Sequence, residues 1–174
     1  MRIPTTRDIR LFGLINQTYT HSLLDRFFPV VTLLGLGGVQ LPLVAMVWWF
    51  HRNQALGGSL AAAAILAFLL ATAVVHLIKR RVKRLRPVAY TEVRFLVPVT
   101  RHNSFPSGHT ATTFALAAVV AWYFPAWAIP LFLLAAVVGY SRVYVGVHFL
   151  SDVVVAAVIG LISAAAVLLR FVLG

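Results

Sequence analysis

The chain has 174 residues, 61% of them hydrophobic, and sets 15 Lys and Arg against four acids for a formal charge of +11. That apolar share lies beyond the balance of a soluble globular domain and points to a membrane protein. With no cysteine in the sequence, disulfides, thiol catalysis and thiolate metal sites are excluded.

Residues 1–26 begin polar and lack an apolar core followed by a small-residue cleavage site, so they do not read as a secretory signal. From Arg10 to Gln17, a helix would place Leu11, Phe12, Leu14 and Ile15 on one side and Arg10 and Gln17 on the other. The expectation is a short amphipathic helix lying on the lipid surface.

Four apolar stretches follow, over 27–50, 56–78, 110–138 and 149–173, where one crossing takes about 20 residues. The third is too long for a single crossing. It contains Tyr123-Phe124-Pro125-Ala126-Trp127, a proline among aromatics, which reads as a tight turn at the membrane interface. The first is interrupted by Leu34-Gly35-Leu36-Gly37-Gly38 and Pro42, so it is expected to be bent or partly re-entrant. The fold class implied is all-α: a polytopic transmembrane bundle of about five spanning helices plus an N-terminal interfacial helix, forming one domain over 1–174.

A basic protein takes nucleic acid, anionic lipid or phosphate as partner. Here the cations lie beside apolar spans rather than along a soluble face, which argues against nucleic acid and for a phosphate-bearing partner at the bilayer. Helices that alternate sides put the N-terminal segment, the 79–109 connection and the short connection ending at His148 on one face. The long connection is the place to look for function.

In order, that face carries Lys79, six residues, then Arg86-Pro87; next Pro106-Ser107-Gly108-His109; then Ser141-Arg142, five residues, His148, three residues and Asp152. Each segment alone has an ordinary explanation: a juxtamembrane anchor, a turn into a helix cap, a structural ion pair. Their joint occurrence on one face, over 79–152, does not. Residue for residue, the three segments resemble the signature of the phosphatidic acid phosphatase type 2 superfamily, the lipid phosphate phosphatases, in its bacterial membrane-integrated form.

The resemblance implies that Lys79, Arg86 and Arg142 hold the phosphate. Two guanidinium forks and one point charge suit its oxygens. Ser107 and Gly108 stand where a helix should begin, so their amides and the positive helix end are expected to face the anion. His148 is the implied nucleophile, forming a phosphohistidine that water later hydrolyses. Asp152 would fix its tautomer if the last helix starts near Val147, and His109 is left as the general acid for the departing oxygen. Magnesium, calcium and two-metal sites are built largely from carboxylates. With only Glu92 and Asp152 in the motif-bearing region, no metal or other cofactor is expected.

Arg80, Arg81, Lys83 and Arg84 are assigned instead to anionic lipid headgroups, with one of them free to serve the second phosphate of a diphosphate. His102, Asn103 and Ser104 either line the entrance or form a solvated loop, and His76 reads as a satisfied interior or interfacial histidine. Among substrates implied by the resemblance, undecaprenyl diphosphate comes first, with phosphatidylglycerol phosphate, phosphatidic acid and lipid A phosphate as alternatives. The expected setting is the bacterial inner membrane with the site extracytoplasmic, against the pull of the positive-inside rule, which would place this basic face in the cytoplasm. Oligomeric state has no signature in the sequence. A vanadium haloperoxidase shares a similar anion site but is soluble, and an anionic-lipid transporter would not need His148.

Overall fold

The computed structural model describes residues 4–53, 57–99 and 103–173. Its helices are α1 (Thr6–Gly13), α2 (Ser22–Val31), α3 (Gly37–His51), α4 (Gly57–Val82), α5 (Gly108–Tyr123), α6 (Ala128–Tyr144) and α7 (Leu150–Leu173). No strand occurs among the described residues, so the all-α expectation holds.

Three segments are long and apolar enough to cross a bilayer, 58–89, 125–144 and 150–171, and the pair formed by α2 and α3 makes a fourth if taken as one broken span. Large side chains on their outer surfaces stay uncovered, among them Ile129 at 75% and Phe50 at 74% exposure, as lipid-facing positions require. The protein is an integral membrane protein. Helix α5 has 16 residues, short of the roughly 20 needed for a full crossing, so length gives three spans among the described residues, or four with the bent pair counted as one, against the five expected from sequence.

Helix α5 runs through the middle of the bundle. Ala111, Ala115 and Val119 are fully buried and pack with Ala63, Ala67 and Ala71 of α4 and Ala156 and Ala164 of α7. Small side chains let these backbones approach closely. A Cβ built on Gly160 of α7 would stand 2.3 Å from the carbonyl oxygen of Ala111, which only glycine avoids.

The interruption read in the first apolar stretch is a 65° bend between α2 and α3. A 3-10 turn, Thr32–Gly35, and an extended Leu36 form the break. The expected interfacial turn is also present: α5 stops at Tyr123, a 3-10 turn spans Pro125–Trp127, and α6 starts at Ala128.

The N-terminal helix is amphipathic, but it begins four residues earlier than the sequence pattern indicated and faces the protein as well as the lipid. Thr5 caps it by accepting from the amide of Asp8. Phe12 is fully buried against Phe149, ring centroids 5.7 Å apart. After a π-turn over Leu14–Thr18, the buried Asn16 side chain donates to the carbonyls of Tyr144 and Arg94 and accepts from the Arg94 amide. Asp25 of α2 pairs with Arg94 at 2.7 Å and accepts from the Tyr144 hydroxyl. The segment is a clamp across the face that bears the motifs.

Candidate active site

The first motif leaves the membrane on the last turn of α4, where Lys79 is half-buried. The helix stops at Val82 and Lys83 takes a φ of 48°, a left-handed conformation that turns the chain. Arg86 follows in extended backbone, half-buried, and donates to the carbonyl of Val147 at 2.9 Å. The first motif thereby touches the third.

The second motif is stitched to both. Asn103 donates to the Lys79 carbonyl, and Ser104 donates from its amide to the Arg84 carbonyl and from its hydroxyl to the Leu85 carbonyl. Asn103 and Ser104 are thus structural links, Ser104 fully buried, rather than a solvated loop. His102 lies outside the described residues.

Ser107 is the N-cap of α5 and Gly108 its first residue, where the sequence placed them. One detail differs: the Ser107 amide is already committed to the carbonyl of Asp152, at 3.1 Å. Its hydroxyl accepts from Thr110 and keeps its own proton to donate. The helix-start donors open to an anion are therefore the amides that follow Ser107, which no preceding helical turn can satisfy.

Half-buried His109 begins the first turn of α5 beneath Gly35 of the α2–α3 break, where an added Cβ would stand 2.7 Å from the His109 Cβ. Arg142, 9% exposed near the end of α6, donates to the Thr32 hydroxyl of the same break. The broken span thus touches both a candidate acid and a candidate phosphate ligand, and neither Thr32 nor Gly35 carried any sequence signal beyond the glycine-rich interruption.

The stretch 141–149 is buried throughout. Its backbone is satisfied locally, with the amides of Val147 and His148 both donating to the Arg142 carbonyl. Gly146 makes this compact turn at φ +89°.

His148 is 2% exposed and precedes α7, which begins at Leu150 rather than near Val147. The two residues therefore do not share a helical face. Asp152 instead reaches backward: at the third position of α7 its Oδ2 accepts from the Phe149 amide at 2.9 Å, half of a capping box. That fold-back brings the same oxygen 3.5 Å from Nδ1 of His148, a nitrogen with no shorter hydrogen bond among the described residues. Burial holds the His148 pKa well below the usual histidine range, and the charges of Arg142, Arg86 and Lys79 push it the same way. The bonds from Arg86 to the Val147 carbonyl and from the Ser107 amide to the Asp152 carbonyl bring segments of the three motifs to either side of His148. His109 lies in the field of the same three cations and of His148.

The second correction concerns Arg84. It is not a headgroup anchor: at 5% exposure it sits between two carboxylates, Nη1 2.8 Å from Asp152 Oδ1 and Nη2 2.8 Å from Asp8 Oδ2. Arg80, Arg81 and Lys83 are exposed, as their assignment to lipid requires, and His76 is exposed with Nδ1 against the Thr72 carbonyl.

A family model described as the PAP2 superfamily matches residues 60–172. The chain belongs to the PAP2 superfamily. Among its curated PAP2 relatives is an undecaprenyl-diphosphatase of Sulfolobus acidocaldarius, 30% identical over 155 residues, 88% of this chain and 73% of that one. A lipid A 1-phosphatase of Rhizobium johnstonii is 34% identical over 90 residues, 49% of this chain and 37% of that protein. The crystal structure of Aquifex aeolicus LpxE superposes with a TM-score of 0.83 at 37% identity, covering 97% of this chain and 99% of the other. A transmembrane PAP2-type phosphatidylglycerolphosphate phosphatase of Bacillus subtilis gives 0.79 at 26% identity, covering 93% and 83%. The matched region contains every residue of the three PAP2 motifs, whereas Asp8, Thr32 and Gly35 precede it.

Proposed function

We propose that this chain is a membrane lipid phosphatase that works through a phosphohistidine on His148 without a metal ion. The observation that carries the reading is a buried His148 backed by Asp152, with Arg86 bonded to the Val147 carbonyl beside it, the His148 amide on the Arg142 carbonyl, and the Ser107 amide on the Asp152 carbonyl. Phosphoryl transfer asks mainly for positioning and for fixed positive charge on the oxygens, and this arrangement supplies both.

In the proposed reaction, the two arginines and the lysine bind the terminal phosphate, with the first amides of α5 and the Ser107 hydroxyl completing the cradle. With its Nδ1–H turned to Asp152, His148 presents the Nε2 lone pair. Nε2 bonds to phosphorus as the bond to the lipid-side oxygen breaks. Burial and the three cations disfavour a protonated His109 in the empty site; the bound phosphate's negative charge offsets them, and the imidazolium so formed gives its proton to that oxygen. The positive charge arising on the imidazole is met by Asp152. Water then attacks the phosphohistidine and loses its proton to His109; the N–P bond breaks, releasing inorganic phosphate and restoring both histidines.

The substrate proposed first is undecaprenyl diphosphate, cleaved to undecaprenyl phosphate, supported by the Sulfolobus relative that spans most of this chain. A second reading, the 1-phosphate of lipid A, is favoured by the Rhizobium relative. The setting proposed is the bacterial inner membrane with the site on its outer face. The test is phosphate release in detergent from undecaprenyl diphosphate, phosphatidylglycerol phosphate, phosphatidic acid and lipid A, with chelator present, for the wild type and His148→Ala. The expected result is turnover of one or more lipids that survives chelation and is lost in the variant. Full activity in His148→Ala would remove the nucleophile, and loss under chelation would remove the metal-free route.

A further inference from the structure

Arg84 is placed as no phosphate ligand would be. Both terminal nitrogens are occupied, Nη1 by Ser151 Oγ and Asp152 Oδ1 and Nη2 by Asp8 Oδ2, each at 2.8 Å. Its planar face lies 4.5 Å from the centre of the Phe149 ring, and its own carbonyl receives the Ser104 amide at 2.7 Å. The residue is fixed by main chain, ring stacking and two carboxylates at once.

Its partners divide between the reacting pair and the N-terminal helix. Asp152 touches His148, whereas Asp8 belongs to α1, and Asp8 also accepts from the Ser151 amide at the start of α7. The three buried groups Asp8, Arg84 and Asp152 carry one net negative charge together. That sign suits the imidazolium which phosphorylation creates beside them. With Asp8 neutralised, Arg84 would bear on Asp152 alone and the net charge would vanish. With Arg84 neutralised, two carboxylates would share the interior uncompensated.

We propose that Arg84 and Asp8 are positioning residues for the reaction: Asp8 shares the charge of Arg84, and Arg84 aims the Asp152 carboxylate at His148, so that the N-terminal helix forms part of the catalytic apparatus. This rests on the reading of His148 and Asp152 as the reacting pair. The phosphate-binding cations are untouched by the arrangement, so it governs turnover rather than substrate capture.

The experiment is a double-mutant cycle on the full chain in detergent, with phosphate release measured on the four lipids named above. Asp8→Asn is expected to lower kcat about 10-fold and Arg84→Gln about 100-fold with KM nearly unchanged. Arg84→Lys should recover part of the loss. In an Asp152→Asn background, Asp8→Asn should cost nothing further. Thermal unfolding of each variant controls for folding, and the near-isosteric Asp8→Asn carries the test if Arg84→Gln does not fold. An equal cost of Asp8→Asn with and without Asp152 would overturn the relay while leaving the nucleophile in place. An Asp152→Asn enzyme as fast as the wild type would overturn the reacting pair and the relay with it.

Discussion

Arg84 and Asp152 meet at 2.8 Å in the protein interior, side chains 6% and 0% exposed, although Arg84 belongs to a basic run that reads as a membrane anchor. The contact places the aspartate between two demands, the guanidinium on one oxygen and the Phe149 amide with Nδ1 of His148 on the other. Its orientation is settled before substrate arrives.

Gly35→Ala should reduce turnover without touching any motif residue. Its new methyl would stand 2.7 Å from the His109 Cβ and Cδ2, so the imidazole must shift. A displacement near 1 Å in a reacting group costs about 100-fold in rate. Phosphate-release kinetics should show a drop in kcat of that order, with binding of a non-hydrolysable lipid phosphonate retained.

His109→Ala should be selectively harmful to substrates with poor leaving groups. General acid catalysis contributes about 100- to 10,000-fold, and a leaving group that departs as a stable anion does not require it. Lipid phosphate turnover is expected to fall within that range, while an activated aryl phosphate loses far less. Equal losses on the two substrates would contradict the assignment of the proton donor.

Gly146→Ala should destabilise the fold. At φ +89° an L-residue is strained, and its Cβ would stand 2.6 Å from Val93 Cγ1 and 3.0 Å from the Arg94 carbonyl. Strain and overpacking together amount to about 2 to 4 kcal/mol, which should appear as a lower unfolding temperature in detergent, with activity lost in parallel.

Acid should release the N-terminal clamp only at low pH. Burial opposes ionisation of Asp8, but hydrogen bonds from Ser151 and Arg84 and the charge of Arg84 outweigh it and hold its pKa below the ordinary 3.8. A carboxyl group depressed on folding contributes stability that is full above its unfolded pKa and fades as pH falls through the folded one. The stability gap between wild type and Asp8→Asn, about 3 kcal/mol for a broken buried pair, should narrow as pH falls below 3.8. Thermal unfolding of both proteins on either side of that pH measures it.

Much of the candidate site was readable from spacing. Lys79, Arg86, Ser107, Gly108, His109, Arg142, His148 and Asp152 each announce themselves by residue type at fixed separations, and apolar run lengths place the helices that carry them. Arg84 does not, because four neighbouring cations look alike in one dimension. What separates them is the left-handed Lys83, which turns Arg84 inward while Arg80 and Arg81 stay on the last exposed turn of α4. The scarcity of acids held a usable clue: of only four, Asp8, Asp25 and Asp152 each pair with an arginine. The start of α7 was misplaced for a related reason. Hydropathy runs on unbroken through Val147 and Phe149, and only the backward reach of the Asp152 side chain to the Phe149 amide marks where the helix begins.

The bond from the Ser151 amide to Asp8 joins residues 143 positions apart. During synthesis, every helix but the last can enter the bilayer while Arg84 still lacks its second carboxylate and His148 its neighbour. The candidate site is then completed only when α7 packs, and a chain still lacking that helix would hold Arg84 with Asp8 as its one carboxylate and His148 without the aspartate beside it.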